Sequence, residues 1–175
     1  RSASNDSNVT VTSTLPIMTD NVTFTFGGKS ETVQLIVVPD DRTNDLDDYV
    51  CLEDESKEPL SLRDGDVYLS KSSQLVLGIQ PGDTAHVQDS SLNVAKVKVS
   101  DISLNYLGNT LYMTQGTYER AFGRSARLNG VFVLLKGSSA DQIAFSKKLK
   151  SDGWLSISST AEHWENFEAN FTIIN

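Results

Sequence analysis

The chain has 175 residues, 38% of them hydrophobic and 22% charged, a composition that folds rather than one that stays disordered. Its 15 Lys and Arg stand against 23 Asp and Glu, a net charge of −8, which argues against duplex DNA or an anionic membrane surface as partner. Cysteine occurs once, at Cys51, so a disulfide framework and a cysteine-built zinc site are both excluded.

The length fits one domain over residues 9–175 behind a polar, frayed tail at 1–8, with room for a second lobe inserted at 65–125. The longest apolar runs, Leu35–Val38 and Val131–Leu135, fall far short of the roughly 20 residues that span a bilayer. The chain opens on Arg1 with no initiator Met. It therefore reads as a piece cut from a longer protein, and its lack of a targeting segment says little about where the parent resides.

Val22, Phe24 and Phe26 alternate with Thr23 and Thr25, the period of a half-buried strand. Gly27-Gly28 turns the chain, and Thr32 to Val38 returns as a second strand, which makes a β-hairpin. Residues 40–58 then hold nine acids against two bases, so nearly all the net charge sits in one segment. That segment reads as a solvated loop flanking a short strand, Tyr49-Val50-Cys51-Leu52. It lacks the Gly and the closing Glu of a dedicated calcium loop.

Val67–Leu69 is a short strand, Ser70 caps a helix over 71–77, and Gly78 ends it. Ala85 and Val87 on one strand and Val97 and Val99 on another give a second hairpin, near 84–99. Thr114 caps a helix over 115–122 that Gly123 ends. Residues 130–136 form a strand with a continuous apolar run, Val131–Leu135, the mark of a strand covered on both faces. A capping box at Ser139–Gln142 opens a helix to about residue 150, and Trp154 to Ser158 is the next strand. Strand, helix, strand here is a βαβ unit or its split version. The last segment carries Trp164, Phe167, Phe171 and Ile174, whose 3-4-3 spacing predicts one apolar stripe on a helix starting near Ala161. The fold class is α+β, a mixed sheet with hairpins and a few short helices.

Chemistry does not appear. His86 falls on the polar face of a strand and His163 near a helix start, and neither has a ligand partner at useful spacing. There is no nucleophile elbow and no phosphate loop. Cys51 has no histidine near it and reads as a small buried residue. The expectation is no catalytic residue, no metal or other cofactor, and no nucleic-acid partner.

Residues 65–88 read GDVYLSKSSQLVLGIQPGDTAHVQ. They are similar to a recurring pattern in the extracytoplasmic domains of ABC-transporter permeases of the FtsX and MacB-like type. The matching positions include Val67, Leu69, Ser70, Leu77, Gly78, Ile79, Gly82, Asp83 and Thr84. Residues 97–123 resemble the segment that follows, through Asn105, Tyr106, Gly108, Asn109, Tyr112, Met113, Tyr118, Phe122 and Gly123. Gln74 and Val76 stand where that family often has Ala.

The resemblance implies a non-enzymatic domain on the outer side of a bacterial cell membrane, inserted between membrane helices. It transmits motion or contacts a substrate or protein, while a separate cytoplasmic ATPase does the chemistry. The partners implied are the rest of the permease, its ATPase, an unidentified extracellular substrate or protein, and a second copy in the full transporter. The stripe from Trp164 to Ile174 would then be a coupling helix leading back to the membrane. Two other readings compete: a stand-alone secreted binding or adhesion domain, and a hydrolase built on the acidic segment. The first predicts a parent without flanking hydrophobic segments. The second predicts buried carboxylates clustered in a pocket.

Overall fold

The computed structural model describes residues 10–104, 108–136, 139–151, 155–159 and 168–174. The chain begins with a long strand, β1 (Thr10–Phe26), which turns through Gly27 and Gly28 into β2 (Lys29–Val38). Both turn glycines have positive φ, 58° and 78°, as a two-residue hairpin turn with the right twist requires. The pairing runs from Phe26↔Lys29 out to Met18↔Val37. β2 continues into a parallel pair with β7 (Thr110–Thr114), then β3 (Val67–Ser70) and β6 (Asp101–Ser103). The second expected hairpin is β4 (Thr84–Gln88) with β5 (Val94–Lys98), and β4 pairs with β1 at Thr23–Thr25.

The first half of β1 has a different neighbour. Thr10 to Ile17 pair antiparallel with β8 (Gly130–Lys136). β8 pairs with β10 (Glu168–Ile174), and β10 with β9 (Leu155–Ser159), both antiparallel. β8 and β9 are therefore parallel with β10 between them. The helix α3 (Ser139–Ser151) joins them, so this is the split form of the βαβ unit. The α+β reading holds: among the described residues one curled, mixed sheet carries three α-helices.

Two cores lie on the two faces of this sheet. Val33, Leu35 and Val37 of β2 enter one core with Val67, Leu69, Leu111, Met113, Val22 and Phe24. Ile36 and Val38 enter the other with Leu15, Ile17, Tyr68, Tyr112 and Phe132. The unbroken run Leu35–Val38 follows from this, since a strand covered on both faces has no polar side to show. Two short helices cap the first core: α1 (Lys71–Leu77) supplies Leu77, and α2 (Gln115–Phe122) supplies Tyr118. Their ends are local chemistry. Thr114 Oγ1 accepts the Thr117 N–H at the start of α2. Gly78 and Gly123 close α1 and α2 in the left-handed region, at φ 70° and 65°.

The second core is closed by the acidic segment, which corrects the expectation of a loop and a short strand. Residues Asp40–Asp48 form a 3-10 helix whose Leu46 is 1% exposed. Tyr49 and Val50 both donate their backbone N–H to the Leu46 carbonyl, so the chain turns tightly where a strand was expected. Tyr49, Val50 and Leu52 are buried in this core, and the Leu52 carbonyl accepts the Leu60 N–H beside the isolated Glu53↔Pro59 bridge. The Tyr49 ring stacks on Phe132 with centroids 6.1 Å apart.

The second correction concerns the chain's end. Phe171 and Ile174 lie on β10, paired with Val133 and Gly130 of β8. A spacing of three makes one face only on a helix; on a strand, positions three apart alternate. The coupling stripe therefore does not exist across 168–174. β-branched Thr172, Ile173 and Ile174 favour the extended form, and β8 supplies an edge that a sequence periodicity cannot see. Trp164, Phe167 and His163 lie outside the described residues, as does the tail at 1–8.

At Gly78 an added Cβ would meet nothing within 4 Å, while φ stays at 70°. Gly78→Ala should therefore cost only the left-handed backbone term, about 1 kcal/mol, measured as a fall in the urea midpoint at constant m-value.

Candidate functional site

β1 leaves one stretch of its β8-side edge without a strand. Pairing with β8 stops at Ile17↔Gly130, and pairing with β4 begins at Thr23↔Gln88. Side chains and a turn fill the gap. Asn129 continues the ladder by one step: its backbone N–H donates to the Ile17 carbonyl at 3.1 Å. Its side-chain Oδ1 accepts the Thr19 N–H and its Nδ2 donates to the Thr19 carbonyl, both at 2.8 Å. One amide side chain thus imitates a strand residue and satisfies both backbone groups of Thr19, which is 4% exposed. Asp20 Oδ2 accepts the Ser90 N–H at 3.0 Å, tying β1 to the tip of the β4–β5 hairpin.

An open cleft of about 320 Å³ lies at this junction, among Met18–Asp20, Asp89–Ser91, Tyr118, Arg124, Ser125 and Arg127–Asn129. Its carboxylates are structural. Asp89, 7% exposed, takes the backbone N–H of Ser91 and Asn93 and the side-chain amide of Asn93. Arg124 approaches it at 3.8 Å. Burial raises the Tyr118 phenol above its ordinary pKa. Among the described residues no group of three or more His, Cys, Asp or Glu could hold a metal ion.

Of the residues singled out from sequence, Tyr118 lines the cleft, while Ser70, Leu77, Gly78, Gly82, Asp83, Gly108 and Tyr112 do not. Ser70 is fully buried, and its Oγ accepts the Thr110 N–H at 3.1 Å. Leu77 fills the first core and Tyr112 the second. Gly82, at φ 96°, donates its N–H to the Val99 carbonyl. Asp83 Oδ2 accepts the Gln80 N–H at 2.9 Å and fixes the turn into β4. Gly108 turns at φ 92°, while Asn105 and Tyr106 lie outside the described residues. His86 is exposed on β4. The structure does not gather these positions into one site. Asn129, which sequence reading missed, is the residue at the junction; a lone Asn beside a strand carries no signal in the sequence.

No protein-family model matches the chain, and no curated protein matches it in sequence. Several solved structures are similar, among them two that cover most of this chain. One is the periplasmic region of MacB from Actinobacillus actinomycetemcomitans, at 18% identity and a TM-score of 0.46, covering 85% of this chain and 69% of that one. The other is the extracellular domain of the noncanonic ABC-type transporter YknZ from Gram-positive bacteria, at 16% identity and a TM-score of 0.45, covering 82% and 76%. No helix among the described residues is long and apolar enough to cross a membrane.

The acidic segment is built from carboxylates that make turns. Asp54 Oδ1 accepts the N–H of Ser56 and Glu58, Asp45 pairs with Arg42, and Asp40 Oδ1 accepts the Gly116 N–H in the first turn of α2. Cys51 lies half-buried beside Glu53, with Sγ 3.5 Å from Oε1. Burial first, then the Glu53 carboxylate, raise its thiol above the ordinary value, the reverse of an activated nucleophile.

Two outcomes follow. Asn129→Ala removes both side-chain bonds to Thr19 and should cost about 1–2 kcal/mol, read from urea unfolding. At pH 8, iodoacetamide should alkylate Cys51 more slowly than an unstructured thiol. Glu53→Gln should speed it several-fold, because removing the negative neighbour lets the thiolate form at lower pH.

Proposed function

We propose that the chain is a non-catalytic extracytoplasmic domain of a bacterial ABC-transporter permease. It transmits conformational change between the membrane and a substrate or partner outside it. The observation that carries this reading is β1. One strand of 17 residues holds β8 with its first half and β2 and β4 with its second. At about 3.3 Å per residue it runs roughly 55 Å. Such a strand is held along its length by the β8 ladder and then the β2 ladder, so bending it sharply would break ladder hydrogen bonds to one or the other. A displacement applied to the β8–β10–β9 part is therefore delivered to the β4–β5 hairpin.

The motif positions support the same reading. Gly78, Gly82, Gly108 and Gly123 all adopt positive φ, between 65° and 96°, and Ser70 and Asp83 bond backbone amides. These are shape-keeping jobs, which a domain that carries force needs and a catalyst does not require. The domain's partners are the remainder of the permease and its cytoplasmic ATPase.

The test begins with the parent gene. It should encode hydrophobic segments of about 20 residues on both sides of this region; a parent without them overturns the proposal and favours a secreted binding domain. In the parent, Asn129→Ala should loosen the junction, so that ATP hydrolysis persists while its coupling to transport falls. Unchanged coupling with a measurably weakened junction would sink the transmission role.

A further inference from the structure

Asn129 is the only asparagine in the chain that a glycine follows. Such a pair carries a reaction of its own. The backbone nitrogen of the glycine attacks the side-chain amide carbon of the asparagine. Because glycine has no Cβ, that nitrogen is unhindered and its backbone is free to bring it close. Asn129 is also exposed to solvent, so water and hydroxide reach it.

The fold restrains both reacting groups. Asn129 Oδ1 accepts the Thr19 N–H and Nδ2 donates to the Thr19 carbonyl, each at 2.8 Å. Gly130 opens β8 and stands in register between Ile17 of β1 and Ile174 of β10. Closing a five-membered ring between them requires the side chain to leave Thr19 and the Gly130 nitrogen to turn out of its strand position. What protects Asn129 is therefore the intact junction, not burial.

We propose that Asn129-Gly130 is a deamidation site whose reaction is controlled by opening of the β1–β8 junction. Once the side chain is released, solvent hydroxide takes the Gly130 amide proton and the nitrogen bonds to Asn129 Cγ. The Cγ–Nδ2 bond breaks, and the nitrogen leaves as ammonia with a proton from water. Water then opens the succinimide at one of its two carbonyls, giving an aspartate or an isoaspartate at this position. Neither product rebuilds the junction. A carboxylate has no N–H for the carbonyl of Thr19, which is 4% exposed, and a buried acceptor left unpaired is costly. An isoaspartate also adds a methylene to the backbone where β8 enters the ladder. An opening that reacts is thus fixed as a permanently loosened junction. The inference concerns the chain's own chemistry and stands apart from the permease reading.

The test incubates the chain at fixed pH and temperature, in buffer and in unfolding guanidinium. Peptide mapping by mass spectrometry follows the amide-to-acid conversion at Asn129. The reaction should be about tenfold or more slower in buffer, because the native rate is the unfolded rate multiplied by the open fraction. Guanidinium below the unfolding transition should raise the rate progressively. Ile17→Val weakens the step beside Gly130, so it should speed the native reaction several-fold and leave the rate in unfolding guanidinium unchanged. Gly130→Ala should slow the reaction in guanidinium, where only the nucleophile's new Cβ matters. Aged chain carrying the modification should unfold at a lower urea midpoint than fresh chain. Equal rates in buffer and in guanidinium, no reaction at Asn129 in guanidinium, or a native rate indifferent to both mild denaturant and Ile17→Val would overturn the proposal.

Discussion

Strand β1 has 17 residues and two edges, and several partners share them. β8 and β4 cover one edge in succession, with the Asn129 side chain between them, while β2 covers the other edge from Met18 onward. Near the strand's start, outside the β2 ladder, Arg42 donates to the Thr14 carbonyl and the Tyr49 hydroxyl bonds Ser13. Each buried backbone group must find a partner or cost stability, so a strand this long can exist only because these partners arrive in turn. The rest of the architecture follows. The two cores lie on opposite faces of the sheet that β1 organises, and the cleft sits where its coverage passes from β8 to β4.

The acidic segment shows the same economy. Its carboxylates bind backbone N–H groups at Asp40 and Asp54 or a cation at Asp45. They turn a polar stretch so that Leu46, Tyr49, Val50 and Leu52 reach the second core. Gly116 belongs to this arrangement: an added Cβ would come within 3.2–3.3 Å of Asp40, Asp64 and Arg120. Concentrated charge here is a means of chain reversal.

Local chemistry was legible in the sequence, and long-range pairing was not. The turn at Gly27-Gly28, the Thr114 cap and the glycine ends at Gly78 and Gly123 appear where the residues indicate, because a positive φ or a capping hydroxyl acts over a few positions. The first half of β1 was hidden. Leu15 and Ile17 alternate as a strand should, but Pro16 between them reads as a breaker. It is tolerated because β1 pairs there only with β8. The final segment misled for the opposite reason. Its helical spacing is genuine, yet pairing with β8 and a run of β-branched residues outweigh it. At the site, Asn129 could not be read at all, since its role depends on Thr19, 110 residues away.

The central claim is that β1 makes two ladders into one cooperative unit. Native-state hydrogen exchange tests it most directly, by following the hydrogen-bonded amides of β1 on both sides of Thr19 in increasing denaturant. The account predicts that amides in 10–17 and in 18–26 exchange through the same opening, with one free energy and one denaturant dependence. If those in 10–17 open separately, about 2 kcal/mol or more below those in 18–26, β1 is two strands in sequence and the account fails.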